Sequence, residues 1–85
     1  MYEVKYDKNA LDELDKLPVQ IKNRIVLKLR TCQENPFSYF YRLQGMQEYS
    51  LRVGDYRVIA EIKENKLLIL IVYVEHRKKV YKKRE

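Results

Sequence analysis

The chain is poor in the residues that usually announce a mechanism. Its 85 positions include two glycines, two prolines, one cysteine, one histidine and no tryptophan. A lone Cys32 excludes an internal disulfide, and one Cys with one His cannot supply a zinc cluster. Cys32 fits the apolar side of a helical pattern, so it reads as a small buried residue in a reducing cytoplasm. Two glycines, at 45 and 54, leave no Gly-rich phosphate loop. No apolar run reaches the roughly 18 residues of a membrane span. The opening Met1–Tyr6 reads as a strand and not as a signal peptide. Repeats, linkers and low-complexity tracts are absent. The scarcity of glycine beside abundant Lys and Glu hints at a heat-adapted source.

Positive charge is what the chain has in excess. Its formal charge is +6 and its pI about 9.5. Residues 75–85 carry six Lys/Arg against two Glu, so +4 of that total lies in the tail. A polyanionic partner follows: nucleic acid, an acidic protein or an anionic membrane surface. Apolar content of 46% and charged content of 35% fit a folded, soluble protein. The length allows one domain, residues 1–85, that hides only about 60% of its extended surface.

The most informative stretch is Tyr49–Ile62. Gly54-Asp55 is a two-residue turn between two alternating runs, and glycine supplies the positive φ that such turns need. The register follows: Val53 faces Tyr56, Arg52 faces Arg57, Leu51 faces Val58, Ser50 faces Ile59 and Tyr49 faces Ala60. Tyr49, Leu51, Val53, Tyr56, Val58, Ala60 and Ile62 then share an apolar face. Arg52 and Arg57 oppose each other on the other face, a like-charge pair that costs a few tenths to about 1 kcal/mol. An acidic neighbour such as Glu48 or Glu61, a bound anion, or plain solvation relieves it.

Around that hairpin, Tyr2, Val4 and Tyr6 alternate as a half-buried strand. Asp7 or Asn9 caps a helix to about Lys16, with Ala10, Leu11, Leu14 and Leu17 on its apolar side. Pro18 breaks it and opens a second helix to about Gln33. There Ile21, Ile25, Leu29 and Cys32 form the inner stripe, widened by Val26 and Leu27. Asn35-Pro36 ends it. Phe37, Tyr39, Phe40 and Tyr41 read as core filler and loop anchors before base-stacking platforms. Leu67–Val74 is apolar on both faces, which predicts a central strand covered on each side. Two helices cover one side, and a partner segment is expected on the other. The predicted fold is α+β: a small antiparallel sheet in the order βααβββ, a helical hairpin on one face, and a short basic C-terminal segment.

Ser50 has no Asp–His pair arranged around it in sequence, which argues against a hydrolase triad. What remains is a basic set: Arg52 and Arg57 from the hairpin, then His76, Arg77, Lys78 and Tyr81 beyond the central strand. Should the central strand pair with the one bearing Arg57, both groups surround one anion. Arginine forks suit phosphate oxygens. RNA cleavage needs little more, because the substrate's own 2′-OH is the nucleophile and fixed positive charge steadies the pentacoordinate phosphate. The bland alternative is a basic tail that only binds phosphates or an acidic protein.

Leu43-Gln-Gly45, the run Tyr49-Ser-Leu-Arg-Val-Gly-Asp-Tyr-Arg-Val-Ile59 and Val74-Glu-His-Arg-Lys-Lys-Val-Tyr81 resemble the RelE/ParE superfamily of toxins from toxin–antitoxin pairs. The L-R-x-G-x-Y-R piece is the most specific part, and the likeness covers nearly the whole chain. It is nearer the RelE branch, whose members cut mRNA in the ribosomal A site without metal or other cofactor. The resemblance implies that Arg57 contacts the scissile phosphate, Arg77 assists the leaving group, Tyr81 stacks on or orients a base, and His76 resembles an acid/base histidine. It implies that Arg52, with Lys78, Lys79 and Lys82, grips RNA. Some relatives carry two lysines about where this chain has Glu48 and Ser50, which leaves Glu48, His76 and Tyr81 as candidate general bases. The implied partners are a RelB-like antitoxin, the ribosome and mRNA, in the cytoplasm and away from membranes. The alternatives are a ParE-like inhibitor of DNA gyrase and a non-catalytic RNA- or ribosome-binding module.

Overall fold

The computed structural model describes residues 1–76. β1 (Glu3–Tyr6) leads through Asp7, whose carboxylate accepts from the Ala10 amide at 3.0 Å, into α1 (Lys8–Asp15). That cap satisfies one of the orphan donors of the helix start. Pro18 stands at the head of α2 (Val19–Cys32). A 3₁₀ turn over Pro36–Ser38 precedes β2 (Tyr41–Arg42), followed by β3 (Tyr49–Val53), β4 (Tyr56–Lys63) and β5 (Leu68–His76).

The sheet order is β1-β5-β4-β3-β2. The β3–β4 register is the one the two-residue turn dictates, from Val53↔Tyr56 to Tyr49↔Ala60. Gly54 has φ +58° and Asp55 does not join it in positive φ, the sign pattern of a type II′ turn. The predicted all-antiparallel sheet is corrected in one pair, since β1 runs parallel to β5. The reason is β2, a separate two-residue strand that pairs with β3 and adds one reversal to the βααβββ path. With a reversal at each connection, six turns separate β1 from β5, and an even number restores the direction.

β4 and β5 pair antiparallel with a bulge: Ile59 faces Tyr73, Ala60 faces Ile71, and Val72 is the extra residue. A bulge shifts the alternation by one. Hence Ile69, Ile71 and Val74 all reach the helix-side core, although the last two are an odd three positions apart.

That core joins Leu51, Val58, Ala60, Ile69, Ile71 and Val74 of the sheet to Ala10 and Leu14 of α1 and Ile25, Leu29 and Cys32 of α2, with Phe40 beside them. Burial pushes the Cys32 thiol up to about 11. Leu11 and Leu27, expected on the inner stripes, are instead exposed (47% and 59%), because the cylinder of each helix is wider than the strip of sheet beneath it. On the far side of β5, Leu68, Leu70 and Val72 are half-buried and no helix of the described residues covers them.

Candidate anion-binding sheet face

Alternation along the strands assembles this far face in rows. One row runs Arg52, Arg57, Glu75 across β3, β4 and β5. The next runs Tyr41, Ser50, Ile59, Tyr73 across β2 to β5. Arg52 and Arg57 therefore stand opposed, as the turn requires. Among the described residues the ion pairs are Lys22–Asp15 at 2.7 Å and Lys63–Glu61 at 3.8 Å, so neither guanidinium is salt-bridged. The acid across from Arg57 is Glu75; neither Glu48 nor Glu61 takes that place, and Glu61 turns to Lys63. Arg52 Nε makes a long contact, 3.5 Å, to the Gly54 carbonyl.

A depression of about 150 Å³ lies between Tyr41, Arg52, Tyr56 and Arg57. It is too small for a drug-sized molecule and suits a single group such as a phosphate. Ser50, the strand partner of Tyr41, is fully buried, and its Oγ finds no hydrogen-bond partner among the described residues. Arg52 also borders a wider groove of about 390 Å³ with Arg24, Leu27, Lys28 and Thr31 of α2. Tyr73 has its phenol pKa raised, first by burial and then by the Glu75 and Glu48 carboxylates, with Arg57 opposing.

His76 pairs with Tyr56, and their rings meet edge to face at 4.9 Å. The bulge thus sends His76 to the helix side and leaves Tyr73 and Glu75 with Arg57, so the histidine and Arg57 are not brought to one face. Glu48 lies four residues from Arg52, about 13 Å of extended chain, and its charge is felt at Tyr73. Arg77, Lys78, Lys79, Tyr81 and Lys82 lie outside the described residues. Sequence reasoning missed Tyr73 as a member of this face and ranked Tyr41 with the core aromatics. Nothing in the short pattern around Tyr41 marks it; only the structure separates it, at 51% exposed, from its neighbour Phe40 at 4%.

The fold is that of a small basic α+β domain, two helices on one face of a five-stranded mixed sheet and opposed arginines on the other. The particular family comes from comparison. Residues 4–81 match the family model described as ParE toxin of the type II toxin–antitoxin system parDE. A putative RelE-like toxin protein of Escherichia coli is 30% identical over 81 residues, 92% of this chain and 85% of the relative. The toxin–antitoxin complex RelBE2 from Mycobacterium tuberculosis superposes with TM-score 0.79 at 26% identity, over 89% of this chain and 98% of that one. The archaeal RelE–RelB complex from Pyrococcus horikoshii gives 0.77 at 26%, over 89% and 94%. The chain belongs to the RelE/ParE superfamily of type II toxins and is a RelE-like toxin of a toxin–antitoxin system.

Proposed function

We propose that this toxin is a metal-independent endoribonuclease that cuts mRNA in the ribosomal A site, acting in the cytoplasm. The observation that carries the reading is the opposed Arg52–Arg57 couple, without an ion pair among the described residues, beside a phosphate-sized depression. In the reaction the substrate's 2′-oxygen attacks phosphorus and the P–O5′ bond breaks. The 2′-hydroxyl proton leaves to a base, and the departing oxygen gains one to become a 5′-OH. The other product is a 2′,3′-cyclic phosphate, or a 3′-phosphate once water opens it. Arg57 binds the scissile phosphate and Arg52 grips the strand, both stabilising the extra negative charge of the pentacoordinate state. Arg77 assists the leaving group, Tyr81 orients a base, and Lys78, Lys79 and Lys82 add RNA-binding charge. Proton transfer falls to Glu48, His76 or Tyr81.

A RelB-like antitoxin is the partner, as in the solved RelBE complexes of relatives. An acidic helical protein laid on this sheet face would bury more of Leu68, Leu70 and Val72 and neutralise the arginines.

A ParE-like action on DNA gyrase is the second reading, favoured by the family model that the chain matches. An in vitro translation assay with primer extension separates the two. The nuclease reading expects codon-position mRNA cuts on programmed ribosomes only, lost in Arg57→Ala. Intact mRNA together with inhibited gyrase supercoiling would overturn it.

A further inference from the structure

We propose that Tyr41 is a base-stacking platform, holding the nucleobase next to the phosphate bound by Arg52 and Arg57. The inference rests on the reading of RNA as the substrate and adds to it a second aromatic contact, from β2. Four aromatics fall between residues 37 and 41, and three are used up by the fold. Phe40 is in the core. Phe37 packs edge-on against Tyr2 and Tyr49, with centroids 6.5 and 5.6 Å apart. Tyr39 lies under the Lys28 ammonium at 5.0 Å. Tyr41 is half exposed, and among the described residues no ring, cation or hydrogen bond engages its side chain.

Its place is nonetheless fixed. Tyr41 pairs with Ser50 and Arg42 with Tyr49. The loop after them is tied by Arg42 Nε to the Met46 carbonyl at 3.2 Å and by the Leu43 amide to the Glu48 carbonyl at 3.0 Å. The ring stands one row from the arginines, about 7 Å along the strand direction, and lines the same depression. An aromatic face held beside two forked cations is the pairing by which proteins take single-stranded nucleic acid, since every base has a π-face and every link a phosphate. An acidic protein segment would use the cations but gain little from a bare ring set at that spacing.

The test measures binding of a 3′-labelled 2′-O-methyl hexanucleotide, which cannot be cleaved, and of versions with one abasic position moved along it. Tyr41→Ala in the full chain should weaken the base-bearing probe about 5- to 150-fold, the equivalent of about 1–3 kcal/mol per stacked base. Tyr41→Phe should bind within about twofold of the parent. One abasic probe should already be weak and indifferent to Tyr41→Ala. Unchanged binding in Tyr41→Ala, or equal losses on all probes, overturns the proposal, as does a failure of the parent to bind any probe. Tyr41-dependent binding by a toxin that cuts no mRNA would sink the nuclease reading and leave the stacking contact standing. Cleavage together with binding indifferent to Tyr41 would do the reverse.

Discussion

Replacing Arg57 by Gln should separate stability from activity. Arg57 lies on β4 with Arg52 across one side and Glu75 across the other. Cross-strand charge pairs are worth roughly 0.2–1 kcal/mol each. One of these is repulsive and the other attractive, so removing the shared partner cancels them to within about 0.5 kcal/mol. Glutamine keeps part of the aliphatic stem, which limits any loss of packing. The chemistry has no such cancellation. Losing one fixed donor to the developing charge costs about 10²–10³ in rate, or roughly 2.7–4 kcal/mol of barrier. Urea denaturation should therefore find the midpoint nearly unmoved, while single-turnover cleavage on programmed ribosomes falls by two to three orders of magnitude (about 10²–10³). Cleavage within about threefold of the parent, in a variant shown to be folded, would refute Arg57 as the phosphate contact. A stability loss above about 2 kcal/mol would refute the cancellation and make the residue structural.

Three further outcomes are expected. Ser50→Ala removes a buried hydroxyl without a partner among the described residues and should leave stability unchanged or raise it by up to about 1 kcal/mol; a loss of that size in urea titration would show that the hydroxyl is bonded. Leu67, exposed and held at φ 49°, should accept glycine with a gain of about 0.5–1 kcal/mol, read as a raised Tm; a lower Tm would mean its side chain packs more than its exposure suggests. The Tyr73 phenol is raised above 10.0 in the folded state, so the unfolded chain ionises first. Its contribution is complete below pH 10.0 and is lost as pH climbs through the folded value. Stability should fall in that alkaline window, and Tyr73→Phe should flatten the fall; an identical profile in the variant would remove Tyr73 as the cause.

Much of the scaffold follows from local chemistry that any reader of the chain can apply. Gly54-Asp55 admits one register, and that register alone opposes Arg52 to Arg57. Asp7 caps α1 and Pro18 heads α2 because of what those side chains can and cannot donate. The stripe Ile25, Leu29, Cys32 turns inward at helical period. The exposed ring of Tyr41 was harder to see, since two paired residues leave too short a pattern to show an alternation.

By itself, then, the sequence determined the two helices, the four longer strands, the hairpin register and the excess of positive charge, since each depends on neighbours a few residues apart. Tertiary packing decided which groups share a face. Leu67–Val74 is apolar throughout, so nothing local marks where its alternation slips. The slip comes at Val72, where the pairing passes from Ile59↔Tyr73 to Ala60↔Ile71. Without that extra residue Val74 and His76 would lie on the arginine face. With it Val74 enters the core, His76 meets Tyr56, and Tyr73 and Glu75 join Arg57. The physical reason is that a period of two has no memory of which side is which, and only the helices packed on one face supply it.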